Sequence, residues 1–345
     1  MIVSTLEFFL LFISSFVLVY ILTPPIKRFA VSKGVLDRPV ASHKTQKSPV
    51  PYFGGVAIML GVIIVTYSGL IFSGMGVSLF WTATSLLGPA VALGVVGIID
   101  DIRNLHPLPR FISQSLAGFC VAVILIYSNT LGNPSGSITV DVLLTVLWIV
   151  AISNSINFFD NVDGGVAGSA AIILFTLGVL AILGNQFIVA AMSFVVSGAN
   201  LGFLLLNKNP AKIYMGDAGS LFLGVIISTL TIRLDPRTDS LITSFSVPIL
   251  LLAIPILDTS IAIFSRLRRR VSIFQGGQDH LSQRLLRSGR SKNVAVIHLW
   301  TLTLFFCLIS VAINLSNTSL GIYLVAFATL IWSIIFLFFF RTRDY

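Results

Sequence analysis

Two carboxylates stand side by side in GIIDDIRNLHPLPRF, residues 97–111, where Asp100 and Asp101 close a run of Ala, Leu, Val, Gly and Ile. Adjacent like charges repel unless a cationic partner lies beside them. Three further polar clusters interrupt the apolar chain. NSINFFDNVDGGVAG, 154–168, spaces Asn154, Asn157, Asp160, Asn161 and Asp163 so that, on a helix, all five fall on one half of the circumference. Gly164, Gly165 and Gly168 then allow a tight turn and close backbone approach. In KIYMGDAGS, 212–220, Asp217 lies between two glycines where an apolar run begins, and the amides of such a helix start point toward an anion or stiffen the loop. The last cluster, SRLRRRVSIFQGGQDHLSQRLLRSGRSKN, 265–293, is expected to hold a short amphipathic helix capped by Asp279 and closed by Gly289. Leu281, Leu285 and Leu286 would form its apolar side, with His280 and Arg284 on a common face.

This donor set is hard: several aspartates, no cysteine ligand and hardly any histidine suit Mg2+ or Mn2+ and argue against zinc. Magnesium usually takes one or two carboxylates and completes its shell with water and substrate phosphate, so a phosphorylated partner is expected. Lys44, Lys47, Arg110, Lys212, His280 and Arg284 are the basic groups available to its oxygens. Each cluster also has a plainer reading. A single Asp at a helix start is usually a cap, and RLRRR is more often a topology signal than a ligand site.

The elements that must hold these residues are membrane helices. Of 345 residues, 56% are hydrophobic and 10% charged, far from the quarter charged of a soluble globule. Apolar runs near the roughly 20 residues that cross a bilayer lie at about 4–23, 54–73, 78–99, 111–129, 138–153, 165–183, 186–206, 219–233, 241–264, 294–314 and 318–340. An all-α polytopic bundle of 10–11 transmembrane helices follows, read as one domain over 1–345 with cytoplasmic loops at about 24–53, 100–110, 154–164, 207–218 and 265–293. The first run lacks the flanks of a signal peptide and is expected to be a retained span. Threading the runs through a membrane puts 20 of the 22 Lys and Arg residues on one side, leaving Arg233 and Arg237 on the other. The positive-inside bias makes the crowded side cytoplasmic, with the N-terminus outside and the C-terminus inside a cell membrane. All four polar clusters then face the cytoplasm, which favours one shared site over independent caps. The net charge of +9 describes loops able to attract anionic lipid or a phosphate-bearing substrate; without a soluble basic domain, nucleic acid is a poor fit. Cys120 and Cys307 each sit in an apolar run and form no disulfide framework.

In this order and at these separations, PVPYFGGVAI (49–58), DDIRNLHPLPRFISQ (100–114), NSINFFDNVDGGVAG, KIYMGDAGSLFLG (212–224) and DHLSQRL (279–285) give the chain a strong likeness over nearly its whole length. It resembles the polyprenyl-phosphate N-acetylhexosamine-1-phosphate transferases, the superfamily of phospho-MurNAc-pentapeptide translocase and undecaprenyl-phosphate N-acetylglucosamine-1-phosphate transferase. The resemblance implies a cytoplasm-facing active-site cleft, Mg2+ (Mn2+ as the alternative), a UDP-N-acetylhexosamine donor, a polyprenyl phosphate such as undecaprenyl phosphate as acceptor, and a homodimer. It puts the catalytic aspartate pair on Asp100 and Asp101, a magnesium ligand on Asp217, the asparagine–aspartate segment touching nucleotide and metal on Asn157, Asp160 and Asp163, and a uracil-stacking ring on Tyr214. Lys47 and Arg110 match its phosphate-binding basic residues. Asp100 is the expected base for the lipid phosphate, Asp101 a metal or water ligand.

Two departures count. The family's last cytoplasmic loop has three consecutive histidines in the pentapeptide translocases and His-x-His-His in many sugar-phosphate transferases, whereas this chain reads His280, Leu281, Ser282, Gln283. Arg284 is the charged donor available in their place. The lysine expected just after the aspartate pair in the translocases is Arg103 or Asn104 here. Both departures point to the simpler sugar-phosphate branch and away from a pentapeptide donor. A transporter for an anionic solute is the rival from another class. Transporters place their binding residues near the midplane, often in repeated halves, while these charges lie at span ends and no repeat is evident.

Overall fold

The structure is a computed structural model that describes residues 5–37, 49–74, 76–273 and 277–341. In chain order its helices are α1 (Thr5–Ser32), α2 (Gly54–Phe72), α3 (Val77–Arg103), α4 (Pro107–Tyr127), α5 (Ile138–Phe159), α6 (Gly165–Leu183), α7 (Phe187–Asn207), α8 (Gly216–Arg233), α9 (Leu241–Leu251), α10 (Ala253–Arg268), α11 (Leu281–Arg287), α12 (Lys292–Leu315) and α13 (Thr318–Arg341). Among the described residues, α1 to α7, α12 and α13 are each long and apolar enough to cross a membrane, and α9 with α10 passes as one broken span. The protein is an all-α, multi-pass membrane protein.

Helix α8 occupies the centre. Apart from Asp217 it is buried from its first residue to Thr231 and packs on α2, α3 and α5, while α7 lies between α1 and α6. Lipid offers no hydrophobic drive for helices to associate, so close packing and internal hydrogen bonds must hold such a bundle. The exposed Leu, Ile and Phe side chains of α1 and α13 are what a lipid-facing surface requires.

Several boundaries differ from the sequence reading. The run 241–264 is two helices that meet at a 75° bend. Pro255 has no N–H to offer Leu251, and its ring crowds that carbonyl, so the helix breaks at Leu252. Helix α1 continues to Ser32 through Pro24 and Pro25, well into what the sequence suggests is a loop. Asp100 and Asp101 lie in the last turn of α3, which ends where Asn104 turns left-handed. A minimal antiparallel ladder, β1 (Leu36–Asp37) with β2 (Val50–Pro51), pairs Leu36 with Pro51 and Asp37 with Val50. This ladder serves the site: the Tyr214 amide donates to the Pro51 carbonyl at 2.8 Å, and Gly54 donates to the Tyr214 carbonyl at 2.9 Å.

Candidate active site

Adjoining ends of α3, α4, α5 and α8 bring five of the expected residues together. Asp217, in the first turn of α8, accepts from Asn157 Nδ2 at 2.6 Å on Oδ1 and from Arg110 Nη1 at 3.3 Å on Oδ2. The same Nη1 lies 2.8 Å from Asp100 Oδ2, and Asp100 Oδ1 accepts the Leu105 amide at 2.7 Å. One guanidinium therefore bridges carboxylates from two helices. Asp101 points elsewhere: its oxygens accept the amides of Asp217 at 2.8 Å and Ala218 at 3.2 Å. Those are orphan donors at a helix N-terminus, the positive end of its dipole. The adjacent carboxylates are thus reconciled by a cation on one side and a helix start on the other. A five-residue reach places Leu105's amide on Asp100 because the chain turns at Asn104, and Pro107 then starts α4, which carries Arg110 back over α3.

Gly216 makes the Asp101 contact possible. Its φ is +72°, and an added Cβ would sit 2.5 Å from Asp101 Oδ2. Gly216→Ala is expected to cost about 1–3 kcal/mol in backbone strain and to push the carboxylate off α8. Thermal unfolding of purified protein in detergent checks this, and a wild-type midpoint contradicts it.

Asp160, Asn161 and Asp163 do not extend the α5 face, as the sequence suggested; the helix stops at Phe159 and they form the loop to α6. Asn161 ends the helix by competing for its carbonyls, donating from Nδ2 to Phe158 O at 2.9 Å. Gly164, at φ +79°, starts α6, and its amide donates to Asn207 Oδ1 at 3.0 Å. Asn207 also donates to the Ile213 carbonyl at 3.0 Å, so one side chain ties both site loops. Burial, then the charges of Asp217 and Asp163, push the Asp160 carboxyl up to about 7. Near neutrality it is divided between acid and carboxylate. Asp163 Oδ2 accepts the Ala211 amide at 3.3 Å and lies 4.0 Å from Lys292 Nζ.

Tyr214 lies on the loop pinned by β2, its ring centroid 6.3 Å from that of Tyr52. Burial, then the carboxylates of Asp163, Asp37 and Asp160, raise the Tyr214 phenol, which stays a neutral ring. Lys47, like Lys44, lies outside the described residues.

His280 belongs to a second cluster, joined to the first through Phe158, whose ring meets the imidazole edge-to-face at 6.1 Å. Asp279 does not cap α11, contrary to expectation, because Arg266 of α10 and Arg269 just past its end claim it. Arg266 holds it with two bonds of 3.0 and 2.9 Å, and Arg269 adds a third. Burial alone would raise the Asp279 carboxyl; the hydrogen bond and charge of Arg266 and the charge of His280 outweigh it and hold the group below the usual range. The free amide at the start of α11 goes to Asp258 instead. Leu281 and Leu285 are buried and Gly289 closes the turn at φ +85°, as the sequence indicated. Arg284 is buried and spends its donors on protein: the Asp279 carbonyl at 3.0 Å, the Phe339 carbonyl at 2.7 Å and Ser265 Oγ at 2.6 Å. That anchors α11 to α10 and α13 and does not present a cation to the cleft. Ser282 donates to Asn161 Oδ1, and Gln283 Nε2 lies 3.4 Å from the Asn161 carbonyl. The two residues that replace the expected histidines thus dock the last loop on the α5–α6 loop.

Residues 83–235 match the model of glycosyl transferase family 4. A probable undecaprenyl-phosphate N-acetylglucosaminyl 1-phosphate transferase of Bacillus subtilis is 33% identical over 326 residues, spanning 91% of this chain and 87% of that protein. The chain belongs to glycosyl transferase family 4. Other relatives include the decaprenyl-phosphate N-acetylglucosaminephosphotransferase of Mycobacterium tuberculosis, 30% identical over 325 residues with 85% of this chain and 80% of that protein covered. A phospho-N-acetylmuramoyl-pentapeptide-transferase of Halalkalibacterium halodurans is 30% identical over 329 residues, covering 90% and 97%.

Sequence reasoning missed Asp258, Arg266, Asn207 and Tyr52. For Asp258 the signal was present, since an ionisable residue inside an apolar span is a functional candidate by default. Nothing local distinguishes Asn207, whose role depends on two loops meeting.

Proposed function

We propose that this family 4 enzyme transfers N-acetylhexosamine 1-phosphate, specifically GlcNAc 1-phosphate, from its UDP-sugar to undecaprenyl or another polyprenyl phosphate. UMP leaves, and the product is the first lipid-linked intermediate of a cell-wall or surface glycopolymer. The observation that carries this reading is the Asp100–Arg110–Asp217–Asn157 cluster at one end of a membrane bundle. A lipid phosphate is fixed at the bilayer edge, and a water-soluble nucleotide must meet it there. The relatives from Bacillus subtilis and Mycobacterium tuberculosis are named for N-acetylglucosamine transfer, which supports that sugar. Ser282 and Gln283, in place of the expected histidines, are spent on Asn161 of the α5–α6 loop, which supports it over the muramoyl-pentapeptide alternative.

The donors present fit Mg2+. They are oxygen donors, and Mg2+ usually takes one or two carboxylates and completes its shell with phosphate and water. Asp217, its side chain 29% exposed, and the Asn157 Oδ1 would hold the ion, with Asp101 behind them. When bound, the ion supplies neutralisation of pyrophosphate charge. In the same reading Arg110 moves from the two aspartates onto phosphate oxygens, which frees Asp100 Oδ2 to take any proton left on the lipid phosphate. With a second pKa near 6 that phosphate is already largely ionised, so the base assists without being indispensable. Tyr214 stacks on uracil, Asp160 and Asp163 face the nucleotide, and Lys47 joins Arg110 at phosphate. The charge asymmetry supports a plasma-membrane enzyme with a cytoplasmic site, N-terminus outside and C-terminus inside; a homodimer fits the family.

Purified protein in detergent, given undecaprenyl phosphate, Mg2+ and UDP-[14C]GlcNAc, is expected to move label into the organic phase, to stop with EDTA and to resume with excess Mg2+. Transfer that ignores EDTA contradicts the metal assignment, and failure with UDP-GlcNAc and UDP-GalNAc alike contradicts the donor class. Ser282→Ala loses one hydrogen bond between the loops, about 0.5–1.5 kcal/mol. It is expected to raise KM for the UDP-sugar roughly two- to tenfold with little change in kcat; an unchanged KM in initial-rate measurements contradicts the docking role.

A further inference from the structure

Asp258 is a wholly buried carboxylate on α10, six residues past the break from α9. It has two partners, both at the start of α11. Oδ1 accepts the Leu281 amide at 2.7 Å, and Oδ2 lies 2.8 Å from His280 Nδ1. On the other side of the ring, His280 Nε2 lies 3.4 Å from Arg266 Nη2.

The two contacts constrain the imidazole independently. An ionised carboxylate only accepts, so Nδ1 must carry a proton; a guanidinium only donates, so Nε2 must carry a lone pair. Both conditions are met by one species, the neutral ring protonated on Nδ1. The other charged groups around it are consistent. Asp279 Oδ1, 4.0 Å from Nε2, is already held by Arg266, and by Arg269 through its second oxygen. Arg284, four residues on, is spent on the Asp279 and Phe339 carbonyls and Ser265. A second proton on the ring would set an imidazolium against Arg266.

We propose that Asp258 is the positioning residue of His280: it fixes the ring as the Nδ1–H tautomer and pins the first turn of α11, so that Nε2 faces Arg266 as a hydrogen-bond acceptor and the ring is held between the α10 and α11 sides of the loop. The effect on turnover rests on the transferase reading, while the tautomer stands on geometry alone.

Full-length protein labelled with 15N-histidine in detergent micelles tests it. The chain has four histidines, and His280→Gln identifies the signal that matters. The wild-type His280 is expected to show 15N shifts of a ring protonated on Nδ1 only, with a downfield, slowly exchanging Nδ1 proton. Asp258→Asn should move that proton upfield, mix in the Nε2–H tautomer, and lower kcat by about tenfold or more with KM nearly unchanged. Asp258→Glu should restore part of the signal. A wild-type ring protonated on Nε2, or on both nitrogens, overturns the proposal whether or not any variant folds, as do identical His280 signals in wild type and Asp258→Asn. The expected spectrum in a protein that transfers no sugar phosphate would uphold the tautomer and remove the transferase reading instead.

Discussion

Asp217→Asn is expected to lower kcat by at least about a hundredfold and to leave the fold intact. Asparagine has the same shape, and its Oδ1 still accepts from Asn157. The backbone amide of residue 217 keeps its bond to Asp101, and Arg110 keeps Asp100. What disappears is one negative charge, the charge that on this account holds Mg2+ beside the pyrophosphate, together with the long 3.3 Å bond from Arg110, which an amide nitrogen cannot accept. The melting midpoint and elution profile should therefore match wild type while transfer fails. A wild-type rate in folded Asp217→Asn would take this carboxylate out of the reaction.

Arg110→Met makes the second large change, and it separates stability from catalysis. The Asp100 side chain is 4% exposed, against 26% for Arg110. Removing the guanidinium leaves a buried carboxylate facing only the Leu105 amide, and lets Asp100 and Asp217 repel each other unscreened. Breaking a fully buried pair costs about 3–5 kcal/mol; with Arg110 partly solvated, about 1–3 kcal/mol is expected. Adding Asp100→Asn removes the stranded charge, so the double variant should unfold at a higher temperature than Arg110→Met alone, although neither transfers sugar phosphate. Arg110→Lys should keep much of the stability and lose most of the rate, because an ammonium is a point charge and cannot span two carboxylates or a phosphate as a planar fork does. Thermal melts and initial rates on the four proteins read both effects. A double variant no more stable than Arg110→Met would contradict the ion-pair account.

Composition made the bundle legible, because hydropathy and charge asymmetry act over whole spans. The carboxylates at span ends were legible too, since each needs a partner or a wet cavity there. Details decided by one neighbour were not. The break at Leu252 lies in a run with two prolines, Pro248 inside α9 and Pro255 just past the break, and nothing in their spacing says which one interrupts the helix. Asp160, Asn161 and Asp163 have helical spacing, yet Asn161 turns back on the Phe158 carbonyl and ends α5 before them. Asp279 precedes α11 as a cap would, but Arg266 and Arg269, close in sequence and closer in space, outcompete the helix amides. Arg284 shares a nominal face with His280, and burial against α13 turns it into an anchor. In each case the periodicity was sound and one specific contact, three residues away for Asn161 and on another helix for Arg284, overrode it.

The central claim is that the phosphorus bonded to the sugar travels with it to the lipid. UDP-GlcNAc carrying 3H in the sugar and 32P in the β-phosphate tests this directly, with undecaprenyl phosphate as acceptor and the product extracted into organic solvent. The account predicts that 3H and 32P enter the lipid fraction in the molar ratio of the donor, with UMP as the nucleotide released. Tritium in the lipid without 32P, and UDP in the aqueous phase, would make the enzyme a sugar transferase and contradict the mechanism.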